Sequence, residues 1–155
     1  MYARENKLAG WNLFVAMAAL FIGGFFGPLQ KLQNIGLSVY PTLNSLGIKS
    51  YYQGLTAHGV LNALVWTTFF IVGFFTFATS RSLGRELRHP RVNWLAFILM
   101  VIGLVLAAIP ILTNLATVLY TFYPPLQASV FFYLGLTLVV VGSWVAGYSF
   151  LETLR

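Results

Sequence analysis

"VNWLAFILMVIGLVLAAIPILTNLATVLYTFYPPLQASVFFYLGLTLVVVGSWVAGYSFL", residues 92–151, contains no Asp, Glu, Lys or Arg. As one helix it would reach about 90 Å at 1.5 Å per residue, roughly three times the hydrocarbon core of a bilayer. The segment must fold back, and the sequence marks where. Pro110, Asn114 and the adjacent Pro124 and Pro125 interrupt the apolar run. Proline donates no helix hydrogen bond and pushes the residue before it out of the helical region. The stretch therefore reads as two spanning helices, at 92–113 and 126–151, joined by a proline-rich turn.

Two further uncharged runs lie upstream, between Lys7 and Lys31 and between Lys49 and Arg81. They predict spans at 9–29 and 52–79. The chain is 59% hydrophobic and 8% charged, with a mean hydropathy of +0.81, whereas soluble domains carry about 25% charged residues. The expected class is an all-α integral membrane protein of four helices in a single transmembrane region, 1–155. The net charge of +6 rests on nine Lys and Arg scattered between apolar runs. That scatter argues against nucleic acid, which needs basic residues gathered on one wet face. Cysteine and aspartate are absent and only Glu5, Glu86 and Glu152 are acidic. Thiolate sites and paired-carboxylate chemistry are thereby excluded. The first apolar run is too long for a signal-peptide core, and no small-residue cleavage site follows at "GPLQKLQ", so it is expected to be retained.

Arg4, Lys7, Arg81, Arg85, Arg88, Arg91 and Arg155 fall on one side of a four-span arrangement, and Lys31 and Lys49 on the other. By the positive-inside rule the seven-residue side, with both termini, is cytoplasmic. His89 lies in the basic inner loop "RSLGRELRHPR" and is expected to be solvated. The outer loop around "YPTLNSLG" is expected to hold a short interfacial turn. His58 then sits about two turns below the outer end of the second span, on the same side as "YTFYPPL".

His58 shares a helical stripe with Tyr51, Leu55 and Asn62, flanked by Gly54, Ala57, Gly59 and Ala63. An ionisable residue within a span is costly and usually functional. Three uses compete: an interhelical hydrogen bond, a proton relay, or ligation of a metal or haem. A relay lacks a carboxylate partner here. Neutral imidazole is a common axial ligand to haem iron, and the small neighbours leave room for a flat ligand.

The strings "YYQGLTAHGVLNALVWTTFF" and "NLATVLYTFYPPL", with "FFGPLQ" in the first helix, resemble subunit I of haem–copper terminal oxidases, and most of all the B-family, the cytochrome ba-type enzymes. The resemblance covers essentially the whole chain and corresponds to the first four of about twelve helices. It implies that His58 ligates a low-spin haem, b-type, and that Tyr51, Leu55 and Asn62 line it. By the same resemblance Gly27 and Gln30 pack near its edge, and Tyr120 lies near the propionates. Tyr123 flanks that site or only supports the turn. Without the resemblance, both tyrosines read equally as interfacial anchors.

The family's activity is respiratory: cytochrome c oxidase chemistry, reducing oxygen to water with proton translocation. It implies as partners the remaining helices of subunit I, subunit II and a cytochrome or quinol donor, in a prokaryotic plasma membrane. With two histidines in all, the chain lacks the second axial ligand, the copper ligands and the high-spin haem ligand, so it has no catalytic residue of its own. No acidic residue stands in a plausible position for proton uptake. Copper and the second haem are expected only in the complete enzyme, of which this is a fragment or one part of a split subunit. Two alternatives stay open: a stand-alone dimer in which two His58 side chains share one haem, and a non-catalytic assembly subunit. Nitric oxide reductases are relatives in the same superfamily, though "YTFYPPL" suits oxygen reductases better.

Overall fold

Backbone inside a bilayer must satisfy its own hydrogen bonds, and a helix does so residue by residue. The computed structural model, which describes residues 2–155, has four helices long and apolar enough to cross a membrane. The first span is α1, Ala3–Asn34, with Pro28 inside it. A short outer turn follows, α2 (Tyr40–Leu43) and a 3-10 turn at Asn44–Leu46. The second span runs continuously from Tyr51 to Leu83. It comprises α3 (Tyr51–Gly59), a π-helical stretch Val60–Trp66 and α4 (Thr67–Leu83). The third and fourth spans are α5, Pro90–Leu112, and α6, Val130–Leu154.

The fourth span starts at Val130, four residues beyond the position expected from the prolines. The intervening residues are held by an isolated bridge between Ala116 and Ala128, and by Ser129 N–H donating to the Leu115 carbonyl at 2.8 Å. Ser129 also caps α6, accepting from Phe131 N–H. Ser50 caps α3 in the same way, accepting from Gln53 N–H at 3.1 Å. Such caps satisfy the orphan donors of a helix start.

Spans one and two form one intimate pair and spans three and four another, with the second span also touching the fourth. Glycine makes the closest crossings. A Cβ on Gly103 would lie 2.5 Å from the Gly135 carbonyl, and one on Gly142 would lie 2.6 Å from Met100 Cγ. Small residues at such crossings are how membrane helices gain packing without a hydrophobic driving force.

One end of the bundle gathers the amino terminus, residues 84–89 and the carboxyl terminus. Glu5 is 2% exposed, and its Oε1 accepts from Leu87 N–H at 3.2 Å. Arg88 N–H donates to Thr153 Oγ1 at 3.1 Å, and Arg85 donates to the Thr153 carbonyl. The loop is thus pinned from both sides rather than spread on the headgroups: Leu87 is buried and His89 half-buried. In the sequence Glu5 reads only as one of three acids; the structure encloses it at the amino-terminal end of α1.

At the opposite end Gln53 ties two loops together. Its Nε2 donates to the Gly47 carbonyl at 2.9 Å and to the Ile111 carbonyl at 2.8 Å. Ser50 Oγ donates to Asn114 Oδ1 at 2.9 Å, and Leu119 N–H to Thr56 Oγ1 at 3.0 Å. The amino-terminal end of the second span is thus fixed against the turn before it and the end of α5 with the segment that follows, and His58 lies about two turns further along.

Replacing Gly135 by Leu should force α5 and α6 apart. The expected loss is about 1–3 kcal/mol, the usual range for overpacking. It should appear as a lower melting temperature in detergent, while Gly147→Leu, where a Cβ meets nothing within 4 Å, should leave the melting temperature close to wild type.

Candidate functional site

Among the described residues no group of three or more His, Cys, Asp or Glu converges on a point where it could hold a metal ion. The site is therefore organised around one imidazole. His58 sits two residues before the π-helical stretch of the second span and faces the first span. Its Nδ1 lies 2.7 Å from the Gly23 carbonyl oxygen. A carbonyl can only accept, so Nδ1 carries the proton and donates. In neutral imidazole the lone pair is then on Nε2. Nε2 makes no hydrogen bond among the described residues, and it is not among the buried unpartnered atoms. This is the arrangement a metal-binding histidine usually shows, with one nitrogen donating to a carbonyl and the other left open.

Two glycines on α1 make this contact possible. A Cβ on Gly27 would lie 3.3 Å from His58 Cε1, so the ring rests on a bare turn of helix. On Gly23 a Cβ would fall 2.6 Å from Asn62 Oδ1 and 2.8 Å from Leu61 Cβ. Pro28 has no N–H for the Gly24 carbonyl, which removes one hydrogen bond from the same region of the helix. The Asn62 amide reaches back one turn, its Nδ2 position 3.0 Å from His58 Nδ1.

The glycines of the second span do something other than leave room for a flat ligand. The space beside Gly59 is filled by the Tyr120 ring, whose Cδ1 lies 2.5 Å from where a Cβ would be. Gly54 faces Tyr40, whose hydroxyl is 2.6 Å from the equivalent point. A flat group bound to His58 would have to lie on the open side of the imidazole, toward Nε2, not over these glycines.

Of the residues singled out from sequence, the structure brings His58, Asn62 and Gly27 together. Tyr120 packs on Gly59, the residue after His58, and is 48% exposed. Gln30 is buried one turn beyond Gly27, with Nε2 unpartnered. Tyr51 packs edge-on against Tyr40 and Tyr52, and Leu55 is half-buried. Tyr123 is 62% exposed, and its backbone N–H closes a turn onto the Val118 carbonyl at 2.8 Å. The sequence reading missed Gly23, Tyr40 and Thr56. A carbonyl acceptor has no side-chain signature, and Tyr40 lies in a loop where an aromatic residue reads as an anchor. Burial, and secondarily Tyr51, raises the Tyr40 phenol above its ordinary range, so it stays neutral.

An apolar cavity of about 410 Å³ lies on the far face of the second span, lined by residues such as Ala19, Ala57, Val60 and Leu104. It holds no ligating side chain, and His58 does not reach it.

Comparison with known proteins gives the chain a family. The sequence model described as cytochrome C and quinol oxidase polypeptide I matches residues 7–155. The chain is 42% identical over 153 residues to cytochrome c oxidase subunit 1 of Thermus thermophilus, covering 97% of this chain and 27% of the relative. Among solved structures it is similar to a chain of a heme-copper terminal oxidase dimer determined by cryo-EM. That match has a TM-score of 0.84 and 42% identity over 93% of this chain and 24% of the other. The chain thus spans about a quarter of the length of these relatives. It belongs to the cytochrome c and quinol oxidase polypeptide I family, and its four spans have the fold of the N-terminal part of a haem–copper oxidase subunit I.

Proposed function

We propose that this chain is the low-spin-haem-holding part of a respiratory haem–copper oxidase, with His58 Nε2 as one axial ligand to the iron. One observation carries the reading. The Gly23 carbonyl fixes the proton on Nδ1 and leaves Nε2 without a hydrogen-bond partner among the described residues. The residues fit the group in two further ways. The imidazole is held rigidly by a second helix, as an axial ligand must be. Gln30 Nε2, at the same outer end, is a buried donor without a partner among the described residues.

Bound b-type haem would supply one-electron transfer. The chain's own residues would place and shield it. Gly27 admits the imidazole against α1, Leu55 and Tyr51 supply an apolar wall, and Asn62 steadies Nδ1 from below. Tyr120 and Gln30 present polar groups at the outer edge, where carboxylates could be held near water; Tyr123 supports the loop that carries Tyr120. The second axial histidine, the copper site and the high-spin haem would come from the remaining helices of subunit I. Subunit II and a cytochrome or quinol donor would complete the electron path. The assembly would sit in a prokaryotic plasma membrane, with both termini of this chain and the Arg81–Arg91 segment on the cytoplasmic face.

In the assembled oxidase, His58→Ala should abolish the low-spin haem band in reduced-minus-oxidised spectra, and an unchanged band would sink the assignment. Should assembly and activity proceed normally without the chain, both this reading and an assembly role fail. Orientation has its own check, because the chain has no native cysteine. A single cysteine at Glu86 should react with a membrane-impermeant maleimide only after the cytoplasmic face is opened. One at Ser45 should react in intact cells; the reverse pattern would overturn the topology.

A further inference from the structure

His58 Nδ1 has two close neighbours, and they make incompatible demands. The Gly23 carbonyl at 2.7 Å needs a proton on Nδ1. An Asn62 NH2 group at 3.0 Å would need a lone pair there. One nitrogen cannot offer both, and the carbonyl has no alternative role. The two ends of an Asn amide are nearly the same size, and which is which follows from hydrogen bonding. With Nδ1 protonated, an NH2 aimed at it sets two N–H groups against each other, while Oδ1 is left buried without a partner.

We infer that the Asn62 amide turns its oxygen to His58, so that Nδ1–H is shared between two carbonyl acceptors, one from each of two helices, and that Asn62 is a positioning residue that tunes the iron ligand. The inference rests on the reading of His58 as an iron ligand. The amide is not free to drift away. It is wedged against Gly23, where even a methyl group would meet it at 2.6 Å. It also stands in the π-helical stretch Val60–Trp66, which contains no proline or glycine. Such π turns are frequent at functional sites, and this one carries the residue that reaches the imidazole.

The physical consequence is electronic. Each acceptor on Nδ1–H makes the imidazole a more basic donor through Nε2. A more basic ligand favours the oxidised iron, so the second acceptor lowers the midpoint potential. A residue that merely filled space would leave the potential where it was.

The test uses the assembled oxidase containing this chain, with the low-spin haem midpoint read by spectroelectrochemical titration. Asn62→Leu keeps the volume and removes the acceptor, so the midpoint should rise. Asn62→Asp supplies a stronger acceptor, so it should fall; where that variant does not accumulate, Asn62→Ala should raise the midpoint as Leu does. A readout without haem accompanies it. In isotope-labelled chain, the His58 Nδ1–H proton resonance should move upfield in Asn62→Leu. An unchanged midpoint in Asn62→Leu at full haem occupancy, or an unmoved Nδ1–H resonance, overturns the inference. If instead the low-spin band survives His58→Ala, it is the reading beneath that has failed.

Discussion

The hydrogen bond from His58 Nδ1–H to the Gly23 carbonyl is the constraint on which the rest of the site depends. In hydrocarbon no water can satisfy an imidazole N–H, and an unpaired polar group there costs several kcal/mol. Among the described residues the short contact comes from another helix, the Gly23 backbone carbonyl of α1. Backbone can be approached that closely only where side chains are missing. Gly23 and Gly27 provide the opening, and the fit is tight enough that a Cβ at Gly23 would collide with Asn62 and Leu61. One contact therefore fixes the crossing of the first two spans, the tautomer of the imidazole and the direction of its lone pair.

Around that contact the end of the bundle that carries Tyr51 behaves as a clamp. Gln53 and Thr56, both buried on the second span, receive or donate to loops that arrive from either side. The loop between the third and fourth spans is thereby held low enough for Tyr120 to rest on Gly59. The inner end is tied separately, through Glu5, Leu87, Arg88 and Thr153. Between the two ends the faces are apolar and broad. Phe21, Trp144 and Val130 are 82%, 70% and 69% exposed, as expected of surfaces meeting lipid or the further helices of a larger subunit.

Much of this was legible in the sequence because the membrane makes strong demands. An uncharged run of 60 residues with prolines in it, Val92–Leu151, admits few readings. A lone histidine among glycines and alanines stands out against apolar surroundings. What was not legible depends on three-dimensional neighbours. The acceptor for His58 is backbone and carries no residue signature. The glycines of the second span looked like space for a ligand, yet Tyr40 and Tyr120 fill that space, and both come from loops whose path periodicity does not predict. The prolines mark the turn but not its end, and the fourth span starts four residues after the 126 they suggest, at Val130. The Ala116–Ala128 bridge and the Ser129 cap hold the intervening residues in the turn instead. Glu5 looked like an ordinary charge near a terminus, and only the packed inner loop shows it enclosed.

If the chain offers iron one imidazole, prepared by α1 and open at Nε2, the optical spectrum of the purified chain in mild detergent with ferric haem added, before and after free imidazole, is the most direct measurement. The expected result is a five-coordinate, high-spin complex that becomes low-spin when imidazole supplies the missing ligand, with His58→Ala binding neither way. A wild-type spectrum indistinguishable from that of His58→Ala would contradict it.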